Sequence, residues 1–135
     1  MQTPVNTNDL LRYILPEEIF KYFTLNKVEQ QAQTLHFYLE ENNSIPSEYS
    51  DRRLESNGFH KESIITDYPL RGKPVYLHVR RRRWLDLDSK ESLSRNWETV
   101  AKGTGHTQEF ALFLNELIRF LPYYRPVASA GFSTR

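Results

Sequence analysis

The feature that most constrains the fold is residues 75–84, which begin as an apolar strand and end in four consecutive arginines. Successive side chains of a β-strand point to opposite faces. One face would carry Val75, Leu77, Val79, Arg81 and Arg83, and the other would carry Tyr76, His78, Arg80, Arg82 and Trp84. The first half of the odd-numbered face can pack on a core, whereas the even-numbered face cannot. The segment therefore predicts a long strand with one buried face and one exposed face.

The arginine row indicates contact with a polyanion. A guanidinium group gives forked hydrogen bonds to phosphate and stacks on bases. We expect the basic side chains to hold phosphates and the rings to contact a groove or a base. The candidate residues are Arg71, Lys73, Tyr76, His78, Arg80, Arg81, Arg82, Arg83 and Trp84. The alternative is an edge strand that its charges protect from aggregation, and Trp84 is equally a candidate for the core.

Charge is distributed unevenly along the chain, although its formal net charge is only +1. Residues 1–60 contain 5 basic and 9 acidic side chains, whereas residues 61–105 contain 10 basic and 6 acidic ones. The middle of the chain therefore carries the positive charge that a nucleic acid would attract.

Metal and cofactor sites have little support in the sequence. The absence of cysteine excludes disulfides and thiolate zinc sites. Asp86 and Asp88 could chelate magnesium, but an aspartate at the start of a turn is far commoner. The histidines have no metal-binding spacing, so we expect no metal and no cofactor. They are His36, His60, His78 and His106.

Catalysis and membrane insertion are also disfavoured. The chain has no nucleophile motif, phosphate-binding glycine loop or dinucleotide fingerprint. The adjacent pair Glu40 and Glu41 would point in different directions, so a joint acid–base role is not expected. No apolar run approaches the roughly 20 residues of a membrane helix, and the N-terminus lacks signal-peptide features. We therefore expect a non-enzymatic, cytoplasmic protein.

Periodicity predicts the order of the elements. One or two short helices are expected over residues 8–23, with Asn8 as the first N-cap, followed by a hairpin between residues 23 and 39. Residues 54–95 should form a second, basic sheet with meander topology, including a short returning strand at residues 93–97. Thr107 should cap a helix that Pro122 ends. Its apolar stripe is Phe110, Phe113, Leu114, Leu117 and Leu121.

These elements predict an α+β fold. It would consist of an N-terminal helix, small antiparallel β-layers and a C-terminal helix. We divide the chain into residues 1–50 with the helix and acidic hairpin, residues 51–105 with the basic module, and residues 106–135 with the C-terminal helix. The three parts are expected to form one compact unit.

Several segments together resemble the N-terminal region protein of bacterial insertion-sequence transposases of the ISAon type. The resemblance extends from about residue 9 to residue 121, and residues 67–84 are its most specific part. The matching segments are residues 10–17, 37–41 (Phe-Tyr-Leu-Glu-Glu), 58–62 (Gly-Phe-His-Lys-Glu), 67–73 (Asp-Tyr-Pro-Leu-Arg-Gly-Lys), 75–84 and 100–104.

The resemblance implies a DNA-binding role. Related single-chain transposases carry a zinc ribbon here, but this chain has Leu85 where the first cysteine of a knuckle would stand. A metal-free, ribbon-like basic module held by packing is therefore implied. Residues 126–133 would start a truncated helix-turn-helix. The DDE-type catalytic domain is absent from this chain and would be encoded separately or joined by a frameshift.

The implied partners are duplex DNA, specifically the terminal inverted repeats of the element, and the catalytic transposase subunit or fusion. The sequence leaves a homodimer open. The alternative function is a protein-interaction module whose arginine face docks an acidic partner, such as that catalytic subunit.

Overall fold

The computed structural model describes residues 10–121, which form an α+β fold. This confirms the predicted fold class. The elements are α1 (Ile19–Tyr22), β1 (Phe23–Gln31), β2 (Thr34–Glu41), a 3-10 turn (Ser47–Tyr49), β3 (Leu54–Phe59), β4 (Ser63–Leu70), β5 (Lys73–Arg80), β6 (Arg82–Asp86), β7 (Ser92–Leu93), α2 (Trp97–Ala101) and α3 (Gln108–Ile118).

A four-stranded sheet with the strand order β1-β2-β5-β4 forms the centre of the fold. The hairpins β1–β2 and β4–β5 are antiparallel, but β2 and β5 are parallel neighbours, with Leu35 opposite Val75 and Glu40 opposite Arg80. The expectation of a separate basic meander over residues 54–95 is therefore wrong. Short loops exclude parallel pairing only between consecutive strands, whereas residues 42–72 supply the connection that a parallel pair needs.

The expected strand over residues 75–84 divides at Arg81. β5 belongs to the four-stranded sheet, and β6 pairs with β3 and β7 in a three-stranded antiparallel sheet. At the junction, the carbonyl of Arg81 accepts a hydrogen bond from the amide of His60 at 2.8 Å. The returning strand is also shorter than expected, because it comprises Ser92–Leu93 and Trp97 already begins α2.

The core lies between the inner face of the four-stranded sheet and α3. Val75, Leu77 and Val79 are at most 2% exposed, which confirms the apolar face predicted for the strand. All five residues of the predicted helical stripe are buried too. The Thr107 side chain accepts a hydrogen bond from the amide of Phe110, as expected for an N-cap.

The N-terminal region is helical at residues 10–11 and at Ile19–Tyr22, in agreement with the one or two short helices expected there. Among its apolar residues, Leu15 and Ile19 are buried, whereas Leu10 and Ile14 are exposed. Asn8 and the short helix expected at residues 126–131 lie outside the described residues. Within residues 10–121, none of the helices has both the length and the apolar character needed to cross a membrane.

Candidate nucleic-acid interface

The face of the four-stranded sheet opposite the core carries three of the predicted contact residues in a row. Tyr76, His78 and Arg80 alternate along β5 with the residues that face the core and therefore share the outward face. His78 is nevertheless buried, at 9% exposure, because the Tyr38 ring stacks on it. Tyr76 and Arg80 are four positions apart along the strand, which corresponds to about 13 Å. β2 contributes Tyr38 to the same face, opposite His78. We call this surface the outward face.

Two histidines meet on the outward face. The Nδ1 atom of His36 lies 2.7 Å from Nε2 of His78, whose Nδ1 lies 2.9 Å from a carboxylate oxygen of Glu62. The remaining nitrogen of His36 lies 2.9 Å from the Thr34 hydroxyl. The sequence did not indicate this cluster, because the parallel pairing of β2 with β5 brings together residues that are far apart in the chain.

Aromatic rings enclose the histidine pair. The ring of Tyr38 stacks on His78 with centroids 4.4 Å apart, and Tyr76 stacks on His36 with centroids 5.4 Å apart. The Tyr38 hydroxyl donates a hydrogen bond to Glu29 at 3.0 Å, and this bond is the main cause that lowers the pKa of Glu29. The outward face thus combines stacked rings with polar edges.

A second cluster, the arginine corner, consists of Phe59, Arg80, Arg82 and Arg83, where the chain leaves one sheet for the other. The Cζ atoms of Arg80 and Arg82 lie 4.2 Å and 4.7 Å from the centroid of the Phe59 ring. Arg83 is half-buried and lies beside Gly58, where a Cβ atom would stand 3.6 Å from its Nη2.

The arginines of the corner are partly engaged in holding the structure. Arg80 forms an ion pair with Glu40. Arg82 donates from Nε to the Glu41 carbonyl at 3.0 Å and from Nη1 to the Ser56 hydroxyl. Their ring contacts and hydrogen bonds restrict these side chains, so less conformational entropy is lost when they contact a ligand.

Arg81 and Trp84 do not belong to the surface. Arg81 is 5% exposed and Trp84 is fully buried, with its Nε1 donating to Asn43 at 3.0 Å. Arg81 is therefore not exposed for the phosphate contact expected of it, and Trp84 lies in the core, which was the alternative that the sequence left open. The physical reason is the change of sheet at Arg81, which interrupts the strict alternation of faces.

The concentration of guanidinium groups affects a neighbouring histidine. Burial, and then the positive charges of Arg81 and Arg83, lower the pKa of His60 to about 4. The Nε2 atom of His60 lies 2.6 Å from the Ser94 hydroxyl. His60 is therefore uncharged at neutral pH and adds no positive charge to the corner.

Arg71 and Lys73 lie at the opposite end of β5, at the tip of the β4–β5 hairpin. Arg71 and Gly72 form its two-residue loop, and both have positive φ values, 54° and 81°, as a type I′ turn requires. Lys73 and Arg80 are seven positions apart along β5, which separates the tip from the arginine corner by about 23 Å. Within residues 10–121, Arg71, Lys73, Arg82 and Arg83 form no ion pair with a carboxylate.

A buried carboxylate beneath the corner was not indicated by the sequence. Glu41 is 1% exposed and accepts hydrogen bonds from the Arg82 amide at 2.9 Å and from Arg95 Nε at 2.8 Å. Burial raises the pKa of Glu41, although Arg95 and Arg82 oppose this effect. Glu40 instead pairs with Arg80, so the two adjacent carboxylates point in different directions, as predicted.

The Asp86 carboxylate stabilises a turn through backbone hydrogen bonds, as expected for an aspartate at the start of a turn. It accepts hydrogen bonds from the amides of Asp88 and Ser89 at 2.9 Å and 3.2 Å. The Asp88 amide, followed by the Arg52 side chain, lowers the pKa of Asp86 to about 2. No group of three or more potential metal-ligating side chains of the His, Cys, Asp or Glu type occurs in the described part of the chain.

Comparison with known proteins finds no matching family model, no matching curated protein and no matching solved structure. Cations that have no carboxylate partner among residues 10–121 lie at both ends of β5, and stacked aromatic and imidazole rings lie between them. Such an arrangement can neutralise phosphates at two separated points and present rings to the intervening sugars or bases.

Proposed function

We propose that this chain binds duplex DNA as the DNA-binding front end of an insertion-sequence transposase. Its targets would be the terminal inverted repeats of the element, and the nuclease would lie on another polypeptide or on a frameshift fusion. Such a protein would act in the cytoplasm, where the DNA of the element lies.

The observation that carries the proposal is the pair of cationic sites at the two ends of β5. Arg71 and Lys73 occupy the hairpin tip, and Arg82 and Arg83 occupy the arginine corner. Each neutralised phosphate of B-DNA contributes about −0.9 to the slope of log affinity against log salt. If these four side chains each contact one phosphate, the slope would be about −3.6.

The shape of the hairpin tip suits a groove of DNA. A two-stranded β-ribbon fits the major groove, which is about 12 Å wide. The pairing of β2 with β5 begins only at Leu35 and Val75, so the tip with Arg71 and Gly72 extends past this pairing. We place Arg71 and Lys73 at the groove and the arginine corner on the adjacent phosphate backbone.

Neighbouring acids should limit the affinity. Glu40 lies against Arg80, and Glu62 lies against His78. Their negative charges reduce the positive potential of the outward face. Weak and strongly salt-dependent binding is therefore expected from the isolated chain, with tighter binding only when a second DNA-binding segment is joined to it.

Fluorescence anisotropy of a labelled duplex tests the proposal. The affinity of the chain should fall steeply between about 50 and 200 mM salt. Replacing Arg71 and Lys73 together with alanine should make the slope shallower by about 2. The matched control is the double replacement of Lys102 and Arg119, which are exposed cations at the ends of α2 and α3, and it should leave the slope unchanged.

A terminal-repeat duplex and a scrambled duplex of equal composition then separate specific from general binding. Tighter binding to the repeat supports the transposase context. An affinity that ignores salt, or equal losses in the tip variant and the control, would exclude phosphate contact at the tip.

The alternative function, docking of an acidic protein partner, has one observation in its favour. Arg80 in the arginine corner already accommodates a carboxylate, that of Glu40. A partner bound only through carboxylates should not be displaced by duplex DNA. Displacement of an acidic peptide by duplex at low salt would therefore favour the DNA function, whereas peptide binding that persists in excess duplex would favour docking.

A further inference from the structure

The contact between His36 and His78 offers a position that suits a positive charge. The Thr34 hydroxyl lies 2.7 Å from the Gln31 carbonyl, to which it donates. With its proton directed there, it accepts from Nε2 of His36, and that nitrogen then carries a hydrogen. In a neutral ring, Nδ1 of His36 then presents a lone pair toward His78.

The environment of His78 imposes the same condition from the other side. Nδ1 of His78 lies 2.9 Å from a carboxylate oxygen of Glu62, and when that oxygen accepts, Nδ1 carries the hydrogen between them. In a neutral ring, Nε2 of His78 then presents a lone pair toward His36. The two lone pairs would face each other across 2.7 Å, which is repulsive unless a cation lies between them.

We propose that the His36–His78 pair is a binding site for one divalent transition-metal ion of the imidazole-preferring class, such as Zn²⁺ or Cu²⁺. Both rings would be neutral ligands, and all the outer hydrogen bonds would be kept. A carboxylate that holds the far nitrogen of a ligating histidine is the usual outer arrangement of such sites, and Glu62 supplies it here. The Thr34 hydroxyl holds the far nitrogen of His36 in the same way.

The geometry needs only a small adjustment. Zinc–nitrogen bonds of about 2.0–2.1 Å at a tetrahedral angle place the two nitrogens about 3.3 Å apart. The rings would have to separate by about 0.6 Å from their present contact. No group of three potential ligating side chains occurs among residues 10–121, so water would have to complete the coordination. A depression of about 340 Å³ lies on the His78 side of the pair, where Glu62 and Tyr38 also line it.

A proton competes for the same position, so metal affinity should depend on pH. The charged and titratable groups facing the pair are Glu62 before β4, Lys27 and Glu29 on β1, Tyr38 and Glu40 on β2, and Tyr76 and Arg80 on β5. Lys27 forms an ion pair with Glu29, and Arg80 forms one with Glu40, so these charges largely compensate each other. Glu62 therefore remains the carboxylate that favours a cation directly at His78.

Isothermal titration of the chelator-treated full chain with zinc chloride tests the site. One equivalent should bind at pH 7.5, and binding should weaken at least tenfold at pH 5.5. His36→Ala should weaken binding at least tenfold, and Glu62→Gln should weaken it about tenfold. The matched control is His106→Ala, which removes a histidine that contacts the Val100 carbonyl and should leave the affinity unchanged.

Circular dichroism of each variant verifies that it is folded, and chemical shifts of the imidazole carbons in the unmodified chain report the site directly. The proposal is overturned if no equivalent binds, if His36→Ala and His106→Ala bind zinc equally, or if zinc shifts only the resonances of His60 and His106. None of these measurements uses DNA, so the outcome is independent of the proposed function.

Discussion

Four adjacent arginines occupy four different environments, and this difference decides what each can do. Arg80 reaches the surface beside Phe59 and Glu40, whereas Arg81 is buried next to it. Arg82 is held by backbone and hydroxyl acceptors, and Arg83 lies against Gly58. Residue type alone suggested a single phosphate-binding row. In the structure, some of these guanidinium groups remain accessible to a ligand, and others help to join the two sheets.

The depressed pKa of His60 predicts a loss of stability in mild acid. Its ordinary pKa is 6.5, and burial with the charges of Arg81 and Arg83 lowers it to about 4 in the folded chain. Between these values the unfolded chain binds a proton that the folded chain does not, so stability is complete above pH 6.5 and falls as the pH approaches 4. Thermal melting of the parent chain and His60→Gln checks this prediction.

Between pH 7 and pH 4.5, the melting temperature of the parent chain should decrease more than that of the His60→Gln variant. Parallel decreases in the two proteins would assign the acid sensitivity to other groups.

At the scale of elements, the end of β2 joins the two sheets. Glu41 is the last residue of β2, and it binds the backbone of β6 through the Arg82 amide and the segment before α2 through Arg95. Arg95 also stands over the rings of Tyr22 and Trp97, with its Cζ 5.2 Å and 5.7 Å from their centroids. A single buried carboxylate thus connects a strand of each sheet with the helical layer.

Removing this carboxylate should be costly. Glu41→Ala would remove the acceptor of the Arg82 amide and of Arg95 Nε, leaving the mostly buried Arg95 side chain bonded only to the Ser44 carbonyl among the described contacts. We expect a destabilisation of about 3 kcal/mol. The matched control is Glu40→Ala, whose partner Arg80 has 46% of its side chain exposed, and a surface pair is worth at most about 1 kcal/mol. Urea unfolding of both variants measures the difference, and equal effects would show that Glu41 does not join the sheets.

At the scale of the whole molecule, the two tryptophans lie in different parts of the structure. Trp97 packs in the main core with the residues of α3, whereas Trp84 is buried outside that cluster, in the three-stranded sheet. The two sheets are connected by the chain at Arg81 and by the hydrogen bond from the Arg82 amide to Glu41. The two sheets should therefore unfold together, as expected of a small single domain.

Single-tryptophan variants test this cooperativity. Trp97→Phe leaves Trp84 to report on the three-stranded sheet, and Trp84→Phe leaves Trp97 to report on the main core. In each variant, the midpoint of urea unfolding by fluorescence should coincide with the midpoint by circular dichroism. A Trp84 signal that is lost well before the ellipticity would show that the three-stranded sheet unfolds as a separate unit.

Local patterns in the sequence determined which faces are apolar. The alternation at Val75, Leu77 and Val79 and the helical spacing of the α3 stripe were sufficient, because burial of one face follows from the geometry of a single element. The capping role of Thr107 and the turn at Asp86 were predictable for the same reason, since each rests on hydrogen bonds within a few residues.

Only the tertiary structure decided which distant segments meet. The parallel pairing of β2 with β5 creates the His36–His78 contact, and the change of sheet at Arg81 buries Trp84. The Glu41–Arg95 pair joins residues 54 positions apart. Periodicity specifies the buried face of a strand but not its non-consecutive neighbour, because that choice depends on how all the apolar faces pack together.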